Sequence, residues 1–270
     1  MPTRSKRVVK SILPPVLWDI GKDVKRRLLS SVDHFAFAPD GWATRLPNGA
    51  TSEDYWNKFI ARERTICEAL ISRVQACDPV SVLTGDIKEV LFGYVLALVA
   101  RDKQKVTVLD YGGNLGDYYW LGRALVPAIE LDYHCKELPL VAETGRQITP
   151  AVTWHTSDAC LDQAYDLVMF SSSLHCLPNW QPVLRRASRS TRVYLLLSDI
   201  PTVRSVPAFV VTQRSGSMTH LQHQMNRSEI VDTVEGAGLR LIREFEMGPH
   251  PPVANAPEQS TCVGWLFQHK

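Results

Sequence analysis

An apolar run, Val106-Thr107-Val108-Leu109, ends in an acid and a glycine-rich turn, Asp110-Tyr111-Gly112-Gly113-Asn114-Leu115-Gly116. Asp117-Tyr118-Tyr119-Trp120-Leu121 then resumes as a helix start. β-Branched residues favour the pleated strand, and glycines supply the backbone freedom of a tight turn. The stretch therefore predicts a strand, loop and helix, the opening unit of an α/β domain whose loop faces a ligand.

The acid limits which ligand. A loop built for pyrophosphate offers helix N-terminal amides to a dianion, and a carboxylate two residues before its first glycine repels such a group. A dinucleotide pattern begun at Gly112 needs glycine at positions held by Asn114 and Asp117, and no Lys-Ser/Thr pair follows to complete a P-loop. The spacing is instead D-x-G-x-x-x-G, which resembles the first motif of class I S-adenosylmethionine-dependent methyltransferases. The resemblance implies that Asp110, Gly112, Gly113, Asn114 and Gly116 hold S-adenosyl-L-methionine, a ligand with a sulfonium, an ammonium and no phosphate. Asn114 stands where those enzymes usually carry the middle glycine. Asn enters the left-handed backbone region more readily than other non-glycine residues, so the turn is compatible with it.

A length of 270 residues suits one large α/β domain, or a core domain with an N-terminal appendage. The longest apolar candidate, Val90 to Ala100, falls short of the roughly 18 residues of a membrane span. The basic start is interrupted by Pro14-Pro15 and followed by no small-residue cleavage site, which argues against a secretory signal. Six scattered cysteines, Cys67, Cys77, Cys135, Cys160, Cys176 and Cys262, never form C-x-x-C. They read as thiols in a reducing cytoplasm, without a disulfide frame or zinc site. His220 and His223 share a face if that segment is helical, but no third metal ligand lies nearby, and no metal is expected. The net charge of +2 hides an asymmetry: residues 1–30 carry eight Lys/Arg against two Asp. This basic head, with Ile12, Leu13, Val16, Leu17, Trp18 and Ile20, suits either peripheral contact with an anionic inner-membrane surface or a solvated helix docked on the body.

Residues 1–104 are expected to form this basic segment and a helical lead-in or cap, and residues 105–270 the methyltransferase core. One lead-in helix opens at Thr51-Ser52-Glu53-Asp54 and carries Trp56, Phe59, Ile60, Cys67, Leu70, Ile71 and Val74 along one side. A second is suggested by Ile87, Val90, Leu91, Tyr94, Val95, Leu98 and Val99. From Val106 strand and helix patterns alternate, with strands expected at 106–110, 132–137, 152–156, 165–171, 192–198, 239–247 and 261–268. Helices are expected near 115–125, 140–146 and 179–188. A last one, capped by Asn226 with Glu229 three residues on, stops at Gly236-Ala237-Gly238. The expected fold is α/β: a Rossmann-like, mostly parallel seven-stranded sheet with helices on both faces and an antiparallel terminal strand.

In such a sheet, ligands bind beyond the carboxyl ends of the strands. Glu137, ending the second strand, suits the two ribose hydroxyls, with Glu143 as the competing candidate. Asp158, after the third, resembles the acid that accepts the adenine amino group in this superfamily. Ser171 and Ser172, with Ser173, end the fourth strand and are expected beneath the transferable methyl. His175 and Asp199 are the candidate bases, since methyl transfer to a hydroxyl needs an aligned acceptor and a group to take its proton.

Further pieces resemble a group of bacterial methyltransferases associated with surface-polysaccharide biosynthesis clusters: Leu13-Pro14-Pro15, Glu137-Leu138-Pro139, Ser171-Ser172-Ser173-Leu174-His175, Val206-Pro207 with Gln213, and Gly238-Leu239. The chain departs from that group at His175, where Gln is common, and at Asp199, where Arg is common. The resemblance implies cytoplasmic O-methylation of a sugar hydroxyl on a glycan or glycan precursor, with a small-molecule or glycan partner and no nucleic acid. A methyltransferase-like non-catalytic scaffold is the alternative. An NAD-dependent oxidoreductase is opposed by Asp110 and Asp117.

Overall fold

The computed structural model describes residues 34–46, 53–76, 86–215 and 218–269. The basic head and the start of the first helix cap lie outside them. Strands β1 (His34–Phe37), β2 (Lys105–Tyr111), β3 (Glu130–Lys136), β4 (Thr153–His155) and β5 (Tyr165–Ser171) are followed by β6 (Thr191–Val203), β7 (Phe209–Ser215) and β8 (Met218–Asn226). The last three are β9 (Leu239–Pro249), β10 (Val253–Ala254) and β11 (Thr261–His269). Helices are α1 (Glu53–Gln75), α2 (Ile87–Ala100), α3 (Asp117–Leu125), α4 (Pro139–Ile148), α5 (Trp180–Ser190) and α6 (Arg227–Glu235).

The seven expected strands lie side by side in the order β4-β3-β2-β5-β6-β11-β9, parallel from β4 to β6, with β11 antiparallel to both its neighbours. Strand order reverses at β2, which makes the β2/β5 junction the switch point of a doubly wound Rossmann-like sheet. The central strands are apolar on both faces. Val106, Val108, Leu167, Met169 and Leu196 meet Leu91, Phe92, Val95 and Leu96 of α2. Leu109, Val168, Phe170, Leu195 and Leu197 meet Trp180 and Leu184 of α5 with Ile230 and Val234 of α6. Strands covered by helices on both sides have no wet face, which is why they read as unbroken apolar runs.

The expectation of seven strands needs correction, because the sheet has eleven among the described residues, of mixed orientation. β6 runs on for thirteen residues. At its end Thr202 and Val203 pair in parallel with Met225 and Asn226 of β8. β8, β7, β1 and β10 then extend the sheet, with β7 antiparallel to β8 and β1. These strands were missed because Thr219, His220, Gln222, His223 and Gln224 give β8 a polar reading, although Gln222 and Gln224 are buried. His220 and His223 consequently sit on a strand, where a spacing of three turns them to opposite faces instead of sharing one.

Asn226 caps α6 as expected: its Oδ1 accepts from Glu229 N–H at 3.1 Å. Glu229 does not complete a capping box, because its carboxylate accepts Ala208 N–H instead, at 3.1 Å. Buried Thr149 fixes the far end of the glycine loop. Its hydroxyl donates to Leu115 C=O at 2.9 Å and accepts from Trp120 Nε1–H at 3.2 Å, while its own carbonyl accepts from Trp154 Nε1–H at 3.2 Å. Trp154 in turn lies flat against Gly145 of α4, where an added Cβ would overlap the indole ring. Gly145→Ala should therefore destabilise the fold by about 1–3 kcal/mol through overpacking, against the gain of about 1 kcal/mol that helix propensity alone gives. Urea denaturation of the two proteins checks this.

Candidate active site

The glycine loop lies at the switch point, at the carboxyl end of β2. Gly112, Asn114 and Gly116 have φ of +80°, +53° and +83°. Asn114 takes the left-handed position, and its neighbours hold it there. Its N–H donates to Glu137 Oε1 at 3.1 Å, and its Nδ2 donates to Glu63 Oε2 of α1 at 2.8 Å. Gly113 is required for a different reason: a Cβ there would overlap the Asp110 carboxylate, which lies directly beneath the loop.

Asp110 is fully buried; one oxygen accepts from Tyr133 Oη–H at 2.8 Å and Oδ1 has no partner. Burial, reinforced by the nearby carboxylates of Glu137 and Asp117, pushes its pKa up to about 7. Burial likewise raises Asp117 to about 6, with Glu63 and Glu89 adding to it. Burial raises Glu137 too, although both its oxygens accept backbone N–H groups, from Asn114 and Leu138. Four carboxylates thus frame one loop. Among the described residues neither Asp110 nor Asp117 has an ion-pair partner. An unpaired acid beneath a phosphate-repelling loop fits a ligand that brings positive charge.

Next to this acidic half, Tyr111 stacks on Phe170 with ring centroids 4.8 Å apart and donates its hydroxyl to Asp158 Oδ1 at 2.6 Å. Lys136 Nζ sits 4.5 Å from the Tyr111 ring centre and 3.7 Å from Asp158. Glu143, the competing ribose candidate, points away and pairs with Arg146 on the exposed side of α4.

No family model and no curated protein matches the chain. Solved methyltransferase structures are similar to it. One is 1,6-didemethyltoxoflavin-N1-methyltransferase of Burkholderia thailandensis with bound S-adenosylhomocysteine (13% identity, TM-score 0.48, 84% of this chain and 94% of that one). A second is magnesium protoporphyrin IX methyltransferase from Synechocystis PCC 6803 with bound S-adenosylmethionine (14%, 0.47, 68% and 80%). A third is CalS10, an amino pentose methyltransferase from Micromonospora echinaspora (13%, 0.45, 70% and 92%). The fold assignment rests on the strand order and register described above.

The other candidates gather at the carboxyl end of β5 and where β6 leaves its pairing with β5. Ser171 Oγ lies 3.0 Å from Tyr118 Oη and accepts from Ser198 Oγ–H at 3.1 Å. Ser172 and Asp199 both have positive φ, +54° and +57°, and are joined by a hydrogen bond of 2.6 Å from the serine hydroxyl to Asp199 Oδ2. Lys88 of α2 reaches the same oxygen at 3.4 Å. Burial alone would raise Asp199, but the Ser172 hydroxyl and the Lys88 ammonium outweigh it and hold the carboxyl below its usual range. His175 is buried with Nδ1 unpartnered. Burial drives its pKa down to about 3, against the pull of Asp199 and with the help of His250, His220 and His223. It is neutral at physiological pH. Among the described residues no three His, Cys, Asp or Glu are placed to hold a metal.

Lys88, Glu63, Tyr118 and Tyr133 were not read from the sequence. Glu63 was legible: three residues after Ile60 and four before Cys67, it is a carboxylate inside the apolar stripe of α1. Its 8% exposure matches that position.

The folded pKa of Asp110 exceeds its ordinary 3.8, so the group favours folding most at low pH. That contribution is lost as pH rises from about 4 through about 7, because the unfolded chain gives up the proton first. At 1.36 kcal/mol per unit the loss approaches roughly 4 kcal/mol as an upper bound. Asp110→Asn keeps an acceptor for Tyr133 and should raise Tm at pH 8 while flattening the pH dependence. Thermal melts between pH 5 and 8 test it, and parallel curves for the two proteins would show that Asp110 is not the titrating group.

Proposed function

We propose that the chain is an S-adenosylmethionine-dependent methyltransferase acting on a hydroxyl acceptor. The observation that carries this reading is the buried, unpaired Oδ1 of Asp110 beneath a glycine loop at the switch point. Bound S-adenosylmethionine supplies an electrophilic methyl carbon on a sulfonium sulfur. The backbone of Gly112, Gly113, Asn114 and Gly116 would cradle the methionyl part, and Asp110 would supply the opposite charge. Glu137 would accept the ribose hydroxyls on lone pairs that its backbone donors leave open. Asp158, whose Oδ1 already accepts the Tyr111 hydroxyl, would accept the adenine amino group. Ser171 and Ser172 would lie below the methyl.

When bound, S-adenosylmethionine would supply its methyl group for an in-line displacement by the acceptor oxygen, the sulfur leaving with the electron pair as a thioether. The acceptor proton passes to His175 or Asp199. His175, neutral and with a free Nδ1, is in the right protonation state to receive it; Asp199, fixed by Ser172 and Lys88, is placed to orient the hydroxyl. The finer reading, O-methylation of a sugar hydroxyl in glycan biosynthesis at the cytoplasmic side of the membrane, is drawn from the cluster resemblance. No helix among the described residues is long and apolar enough to cross a membrane.

A methyltransferase-like scaffold without turnover is favoured by one observation, the low basicity of both His175 and Asp199. Calorimetry with S-adenosylmethionine, S-adenosylhomocysteine and NAD separates the cofactor readings. Binding of NAD alone would overturn the proposal. Asp110→Ala should weaken S-adenosylhomocysteine at least tenfold, the factor that corresponds to about 1.4 kcal/mol. His175→Ala should cut turnover by about 10²–10⁴ while leaving cofactor affinity within twofold, as expected of a general base. Mass spectrometry for an added methylene across nucleotide sugars and glycans reads the turnover, and an unreactive wild type that still binds the cofactor would establish the scaffold.

A further inference from the structure

A groove of about 510 Å³ runs between α2 and β9, outside the residues assigned so far. Its walls are Ile87, Val90, Leu91 and Tyr94 on the helix and Phe245 and Met247 on the strand. Three of these are large apolar side chains left open to solvent, Ile87 at 46%, Val90 at 52% and Tyr94 at 40%. Tyr94 and Phe245 meet edge to face across it, with centroids 6.3 Å apart. Glu244 and Glu246 also line it from β9, and the charge of Glu244 is met by Arg204 at 2.8 Å and Arg227 at 2.6 Å.

The groove begins where the proposed reaction centre ends. Ile87 precedes Lys88, whose ammonium pairs with Asp199 at 3.4 Å. On the other wall, Met247 precedes Gly248, which pairs with Cys262, and the Cys262 thiol is hydrogen-bonded to Asp199. From Ile87 to Tyr94 the helix descends roughly 10 Å at 1.5 Å per residue. Eight lining residues fall well below the roughly 20–30 a side of a stable protein interface, whereas the volume lies within the roughly 300–1,000 Å³ that small molecules fill. A second copy of the chain therefore fits poorly, and a narrow apolar chain fits well.

We propose that the α2/β9 groove binds the apolar chain of an amphipathic methyl acceptor whose hydroxyl head lies at Asp199 and His175. This rests on the methyl-transfer reading and names the substrate class for it: a hydroxylated head on an alkyl or isoprenoid tail. The probe is a series of neutral n-alkyl glucosides, hexyl to decyl, kept below their micelle concentrations and titrated into the full chain. Wild-type affinity should rise about fourfold per added methylene until the groove is filled. Val90→Glu, at an exposed position that leaves the core intact, should abolish the chain-length dependence with S-adenosylhomocysteine affinity unchanged. Tyr94→Ala, about one turn farther along α2 than Val90, should weaken only the longer members. A flat series, or the same dependence in Val90→Glu, overturns the inference, as does a wild-type dimer that Val90→Glu dissolves. Chain-length dependence without any S-adenosylhomocysteine binding would instead sink the methyl-transfer reading and with it the acceptor role.

Discussion

The arrangement depends on one carboxylate kept out of water with, among the described residues, no cation beside it. Asp110 lies on the same side of β2 as Val106 and Val108, continuing a row of core side chains, and it receives a single hydrogen bond from Tyr133. An unpaired buried charge is expensive, and a protein ordinarily avoids the expense by leaving the group protonated. The rise of Asp110 to about 7 is that avoidance, and it makes the ligand-free site a proton holder. Anything positive that enters competes with the proton. Gly113 follows directly from this, since only a residue without Cβ lets the loop pass over the carboxylate. The remaining acids deepen the same potential, so the loop's selectivity belongs to a group of side chains drawn from α1, β2, α3 and the end of β3.

A second cost sits at the neighbouring strand ends. Ser172 and Asp199 both occupy left-handed backbone, which for non-glycine residues costs on the order of 1–3 kcal/mol each. They sit just past a register-matched pair, Ser171 with Ser198, so the two strained residues lie side by side. The Ser172–Asp199 hydrogen bond and the Lys88 ion pair link them to each other and to α2. Strain of this kind persists only where surrounding contacts over-determine it. The lead-in helices therefore serve both halves of the site: α1 reaches the loop through Glu63 and Asn114, and α2 reaches the strand ends through Lys88.

Much of this was legible in the sequence because it is local. The seven strands of the Rossmann-like part, the α6 cap and the glycine loop each follow from residues within a few positions of one another. The four additional strands were not legible, because their pattern is set by what they cover. Gln222 and Gln224 are polar by type yet buried. Period-two alternation disappears when the inward residues are amides and histidines. The functional contacts missed were of the same non-local kind, with Lys88 and Asp199 separated by more than a hundred residues. Glu63 alone left a trace, as an acid out of place on an apolar face.

The extra strands also decide how the two halves of the site stay in register. β6 carries Asp199 near the end of the parallel sheet and then, without a break, pairs through Thr202 and Val203 with β8. A strand shared between two sheet segments transmits position rigidly, because slipping by one residue would turn every side chain to the opposite face. β8 packs on the short 3₁₀ turn Leu174–Cys176 that bears His175, and Trp42 donates to His223 on β8 at 2.9 Å. Hence the turn that bears His175 packs both on β8 and on β6, the strand that carries Asp199. The separation between the two candidate proton acceptors is therefore fixed by backbone pairing, and the burial that makes His175 neutral comes from the extension that the sequence pattern concealed.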